Sequence, residues 1–75
     1  MASIAKLVVK MKRQPNGIKI DEADRVLQHY GYKLDRQKGS HRQYLNSTGD
    51  VITVVDRKPT IKSFYVGEIM SRLGL

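Results

Sequence analysis

The spacing of apolar residues changes at Gly31, and this change restricts the fold more than any other feature of the sequence. Before Gly31, apolar residues recur with the three-to-four-residue period of amphipathic helices. Two stripes with this period consist of Ile4, Leu7, Val8 and Met11, and of Ala23, Val26, Leu27 and Tyr30. They predict one helix over about residues 3–13 and a second that has Asp21 as its N-cap and ends at Gly31. Pro15-Asn16-Gly17 separates the two helices.

Beyond this point apolar and polar residues alternate, which is the pattern of a β-strand with one buried face. Alternation over residues 32–37 and 41–45 predicts two strands. Gly39-Ser40 lies between them and predicts a tight hairpin turn. The β-branched run over residues 51–55 predicts a third strand.

The end of the chain returns to helical spacing. Its apolar residues predict a helix over about residues 63–73, which Gly74 ends. The predicted order is therefore α-α-β-β-β-α. This order defines an α+β fold in which helices cover one face of a three-stranded antiparallel sheet. Because 75 residues make one domain at most, we expect a single domain over residues 1–75.

Net charge limits the partners of the chain. Fourteen Lys and Arg residues against seven Asp and Glu residues give +7, which favours polyanions such as RNA, DNA, an acidic membrane face or an acidic protein. The chain has no cysteine, which excludes disulfides and thiolate zinc ligands. No secretory signal and no stretch long enough to span a membrane is visible. We therefore expect a cytoplasmic protein without a membrane role.

His41 is the residue whose surroundings best fit catalysis. It is predicted to begin the second strand beside Arg42, and Arg36 and Lys38 are predicted on the opposing strand. Neighbouring positive charge favours the neutral imidazole, which is able to accept a proton. Such a base beside phosphate-binding cations suits metal-independent RNA cleavage, in which a deprotonated 2′-hydroxyl attacks the adjacent phosphorus. The alternative is an exposed strand histidine without a catalytic role.

Other candidate catalytic groups have less support. His29 lies near the end of the second helix, where a partly cationic ring complements the helix dipole, so we favour a structural role for it. Ser40 precedes His41, but neighbouring residues in a strand point to opposite faces, so their adjacency does not indicate a Ser–His dyad. The acidic residues show no metal-ligand clustering, and we expect neither a metal nor another cofactor.

Residues 36–44, which read Arg-Gln-Lys-Gly-Ser-His-Arg-Gln-Tyr, resemble the HicA toxin family, the mRNA interferases of HicA–HicB toxin–antitoxin systems. That family carries an Arg-Gln-x-Gly-Ser-His stretch followed by an aromatic residue. Further similar segments are residues 29–32, 50–54 and 61–75. The resemblance covers about residues 20–75 and implies an α-β-β-β-α core like that of double-stranded-RNA-binding domains, with residues 1–19 as an N-terminal helical extension.

The resemblance also implies a function. The catalytic histidine of the family matches His41, and Gly39 matches the turn that exposes it. The implied activity is mRNA cleavage, which stops when a HicB antitoxin covers the active site in a hetero-oligomer. We expect the RNA-binding residues to be Arg36, Lys38, Gly39, Ser40 and Arg42. The sequence departs from the family at Ser63 and Phe64, where the family often has proline and glycine.

Two other functions compete with this one. A non-catalytic double-stranded-RNA-binding module usually carries a lysine cluster at the start of its last helix, where this chain has Lys62 alone. A DNA-binding domain would need a recognition helix, and the short glycine-bounded helices predicted here do not offer one.

Overall fold

The structure, a computed structural model, describes residues 3–75 and has the predicted order of elements. This part of the chain contains three α-helices, a three-stranded antiparallel sheet and a 3₁₀ turn at Pro15–Gly17. The elements are α1 (Ile4–Arg13), α2 (Ile20–His29), β1 (Lys33–Lys38), β2 (His41–Leu45), β3 (Val51–Val55) and α3 (Ser63–Leu73). The predicted α+β fold class is confirmed.

The sheet has β2 at its centre and a different environment on each face. Antiparallel pairing joins β2 to β1 on one side and to β3 on the other. On one face Tyr44, Ile52 and Val54 are buried in the core. On the other face His41 and Gln43 are exposed, because neighbouring residues in a strand point to opposite sides. We call the face that carries His41 the open face.

All three helices contribute to the core on the covered face of the sheet. In α1, Leu7 and Met11 are only 2% and 1% exposed, so the first helix packs on the core. Lys10 of α1 also donates to both carboxylate oxygens of Glu22 in α2, at 2.9 and 2.7 Å. No helix within residues 3–75 is long and apolar enough to cross a membrane.

The start of α2 differs from the sequence prediction. We expected Asp21 as the N-cap, but the helix begins at Ile20 and Lys19 is the capping residue. The reason is that the Lys19 main-chain N–H donates to Glu22 Oε1 at 3.0 Å, while Ile20 is buried in the core. Asp21 lies in the first turn, where its charge complements the positive end of the helix dipole.

The connection from α2 to β1 also departs from the prediction in two details. Tyr30 was expected in the buried face of α2, but it follows the last helical residue as the C-cap and is 40% exposed. The first strand begins at Lys33, because the Tyr32 main-chain N–H donates to the Leu27 carbonyl of α2 at 2.9 Å. The Tyr32 side chain is buried, and its hydroxyl donates to Asp50 at 2.5 Å. Gly31 has a φ of +89°, a left-handed conformation that ends α2 as predicted.

We predict that Leu7→Ala lowers the free energy of unfolding by about 2–4 kcal/mol, because it leaves a cavity between α1 and the core. Val9 lies on the same helix and is 49% exposed, which makes Val9→Ala the matched control. The control should change stability by less than about 0.5 kcal/mol. Urea denaturation followed by circular dichroism measures both variants. Equal losses would contradict the packing of α1 described above.

Candidate active site

The turn between β1 and β2 places His41 at the edge of the open face. Gly39 has a φ of +59°, whereas Ser40 has a negative φ, and Lys38 pairs directly with His41. A two-residue loop with glycine in a left-handed conformation at its first position is typical of a type II′ hairpin turn. The Gln37 side-chain amide braces the turn by donating to the Gly39 carbonyl at 3.1 Å. The prediction of a hairpin turn at Gly39-Ser40 is confirmed.

Four side chains surround a shallow depression on the open face. Its lining residues are Arg36, Lys38, His41 and Gln43, and its volume is about 460 Å³. In the sheet Lys38 lies opposite His41, and Arg36 lies opposite Gln43. Side chains opposite each other in an antiparallel pair are close neighbours on the same face. The structure therefore brings His41 together with two of the predicted cations, and all of these side chains are exposed.

A β-bulge in the first strand produces this arrangement. Leu34 pairs with Tyr44, but the next paired residue is Arg36, which lies opposite Gln43. Asp35 is the extra residue between these two pairs. A bulge of this kind shifts every later residue of its strand by one position relative to the partner.

The shift decides which side chains face the histidine. If the register of Leu34 continued without the bulge, Arg36 would lie opposite Arg42, and Gln37 would lie opposite His41. With the bulge, Lys38 occupies the position opposite His41. The sequence analysis did not predict the bulge, since no glycine or proline marks it.

Arg42 lies on the covered face, apart from the other predicted cations. Its guanidinium is 4.0 Å from Asp24 Oδ1 and 3.6 Å from Asp56 Oδ2, and its side chain is 20% exposed. The same group donates to the Tyr44 hydroxyl at 3.3 Å. We expected Arg42 beside Arg36 and Lys38, but it lies between two carboxylates on the covered face of the sheet.

The Tyr44 hydroxyl connects β2 to α2. It donates to Asp24 Oδ1 at 2.8 Å, and the ring is fully buried. Burial raises the pKa of Tyr44 to about 12, Arg42 opposes the rise and the Asp24 carboxylate adds to it. The phenol is therefore protonated at neutral pH and remains a hydrogen-bond donor. This contact fixes the central strand against the helix layer.

Asp56 joins the hairpin tip to the end of β3. Its main-chain N–H donates to the Ser40 carbonyl at 2.7 Å, and its carboxylate faces Arg42. The Arg42 Nε and Asp56 Oδ1 atoms are buried and have no hydrogen-bond partner. Asp56 thus contacts both residues that flank His41 in the sequence. Sequence reasoning missed this role, because Asp56 follows the third strand without any motif of its own.

The remaining candidate residues lie elsewhere. His29 is the last residue of α2, is exposed, and contacts the Tyr30 ring edge-on with the ring centres 5.1 Å apart. Within residues 3–75, no three His, Asp or Glu side chains lie close enough together to form a metal site.

These features define a class of protein: a small basic α+β domain with a histidine between cations on the open face of its sheet. The family model described as "HicA toxin of bacterial toxin-antitoxin" matches residues 20–75, and the chain belongs to this family. It is therefore a toxin of a toxin–antitoxin system. No curated protein and no solved structure matches the chain. The match begins at the first residue of α2, so α1 lies outside it.

We predict that Arg42→Ala lowers the free energy of unfolding by about 1–3 kcal/mol, because it leaves the partly buried Asp24 and Asp56 without a counter-charge. Arg36→Ala is the matched control on the open face and should cost less than about 0.5 kcal/mol. Urea denaturation at neutral pH measures both. A large loss for the Arg36 variant with none for the Arg42 variant would contradict the placement of the two side chains.

Proposed function

We propose that this toxin is an endoribonuclease that cleaves mRNA, with His41 as the general base. The observation that carries the proposal is the position of His41, which is exposed at the start of β2, opposite Lys38 and in one depression with Arg36. The cations Arg36 and Lys38 attract a phosphate group to this depression, and the imidazole of His41 beside that phosphate is placed to accept a proton. Membership of the HicA toxin family supports this activity.

The proposed reaction uses the 2′-hydroxyl of the RNA as the nucleophile. A ring nitrogen of His41 takes the hydroxyl proton, the 2′-oxygen bonds to the adjacent phosphorus, and the bond from phosphorus to the 5′-oxygen breaks. The leaving oxygen takes a proton from water, from a lysine or from the protonated His41. Arg36 and Lys38 stabilise the negative charge that develops on the phosphoryl oxygens. The products are a 2′,3′-cyclic phosphate and a 5′-hydroxyl, and no step requires a metal.

The turn contributes access to the RNA backbone. The space around Gly39 is open, since a Cβ added there would have no heavy atom within 4 Å. Ser40 is exposed beside it. We propose that the two residues let a phosphate approach the main chain next to His41.

We propose that a HicB-like antitoxin covers this same surface in a cytoplasmic hetero-oligomer. The family membership supports an antitoxin partner, and the charge of +7 suits an acidic one. A partner that occupied the depression around His41 would exclude RNA from it.

His41→Ala should reduce cleavage of purified RNA by about 100-fold or more, because general-base catalysis contributes on that order. His29→Ala is the matched control, since it removes the other histidine and should leave the rate unchanged. Gel analysis of RNA in buffer with a chelator measures both variants, and cleavage products should end in cyclic phosphates. Equal cleavage by wild type and His41→Ala would refute the assignment. If no variant cleaves but all bind duplex RNA, the protein is a binding module instead.

Arg36→Ala and Lys38→Ala should weaken RNA binding without a sequence bias. Each should reduce the slope of log affinity against log salt by about 0.7, the value expected for one lost phosphate contact on a single strand. Lys6→Ala is the control, because Lys6 is an exposed cation on α1, away from the open face. Titrations of labelled RNA at several salt concentrations give the slopes. Unchanged slopes in both test variants would remove these two cations from the proposed site.

A further inference from the structure

Phe64 is a large apolar side chain that the fold leaves in solvent. It is 72% exposed, more than the other exposed large hydrophobic residues within residues 3–75, which are Val9, Tyr30, Leu34 and Val51. It lies in the first turn of α3, and its ring meets the Tyr65 ring edge-on with the centres 5.3 Å apart. Most of the Phe64 side chain is therefore available to a partner.

The segment that leads into α3 and carries Phe64 is basic. Residues 57–67 contain three cations and no acidic residue. The cations are Arg57, Lys58 and Lys62, and all are exposed. An exposed aromatic ring beside cations is the combination with which proteins bind single-stranded nucleic acid, the ring stacking on a base and the cations contacting the backbone.

The loop that precedes α3 is held in place by hydrogen bonds to main-chain carbonyls. The Arg57 Nε donates to the Thr60 carbonyl at 3.1 Å. The Ile61 N–H donates to the Ile18 carbonyl at 2.8 Å, which joins the loop to the segment before α2. Because Ile61 is fully buried, the position of Phe64 three residues later is fixed by the core.

The same loop begins beside the candidate active site. Val55, the last residue of β3, pairs with His41, and the next residue, Asp56, donates its N–H to the Ser40 carbonyl. From Asp56 to Phe64 the chain spans at most about 28 Å even if fully extended. Phe64 therefore lies within the length of a few RNA nucleotides from His41.

We propose that Phe64 and the cations Arg57, Lys58 and Lys62 form a second contact for single-stranded RNA, in which an unpaired base stacks on the Phe64 ring. This contact rests on the proposed RNA cleavage and adds a binding site outside the depression around His41. The three cations outnumber the one nearby carboxylate, Glu68, which lies one helical turn beyond Phe64 and pairs with Arg72 at 3.1 Å, so the net charge of this segment attracts the phosphate backbone of RNA. This stacking would position the RNA strand so that one of its phosphates lies next to His41.

The test compares Phe64→Leu with Phe64→Tyr. Leucine keeps an apolar side chain and favours the helix but has no aromatic face, whereas tyrosine retains it. The probe is a single-stranded RNA with every 2′-hydroxyl methylated, so that the proposed reaction cannot occur, and fluorescence anisotropy gives its dissociation constant. Phe64→Leu should bind about 5- to 10-fold more weakly, which is the lower range for loss of one base stack. Phe64→Tyr should bind like the wild type.

Two further measurements make the outcome specific. Val9→Ala, which alters an exposed apolar residue on α1, should leave affinity unchanged. The same RNA with 5-iodouracil in place of uracil should crosslink at Phe64 on irradiation. Equal affinity of Phe64→Leu and wild type would overturn this inference and leave the ring for a protein partner. In that case the proposed function would still hold if the wild type cleaves ordinary RNA and His41→Ala does not. If the wild type does not cleave RNA, the proposed function itself is wrong.

Discussion

The hydrogen bond from Tyr44 to Asp24, together with burial of the Tyr44 ring, sets the orientation of the central strand. Side chains in a strand alternate between faces, so a buried Tyr44 puts Arg42 on the covered face and His41 on the open face. A slip of one residue would exchange the two sets and bring His41 under the helices. The chemistry proposed for the open face thus depends on contacts made on the other side of the sheet. Arg42 belongs to those contacts, where it lies between Asp24 and Asp56.

Most of the secondary structure could be predicted because its residues carry local information. The β3 run and the hairpin turn at Gly39-Ser40 have compositions that favour one conformation. The predicted details are wrong where the local structure depends on distant residues. Helix α2 begins at Ile20, before the predicted start, because the core buries that side chain. The bulge at Asp35 depends on how β1 pairs with β2. Neither requirement is visible in a window of neighbouring residues.

The parts of the candidate site that could be predicted are those that lie close together in the sequence. His41 and the opposing cations Arg36 and Lys38 were identified from the order of residues around one turn, and the structure brings them together. Arg42 was grouped with them because it is adjacent in sequence. The alternation rule that separates Ser40 from His41 separates Arg42 from it as well, so this placement was within reach of sequence reasoning. The contacts of Asp56 could not be predicted from the sequence, since they join the end of β3 to the distant turn at Ser40.

The short connections of the sheet bear on how quickly the toxin becomes competent. The residues around the depression all come from the β1–β2 hairpin. The turn over residues 46–50 joins β2 to β3 in a second hairpin. Strands joined this closely form contacts between near neighbours in the chain, and hairpins of this kind form in about 1–10 μs. The pairing of Lys38 with His41 is thus local in the chain, whereas the hydrogen bond from Tyr44 to Asp24 joins residues that are 20 apart. A newly made or newly released chain therefore needs the contact with α2 as well as the hairpin before His41 is held on the open face.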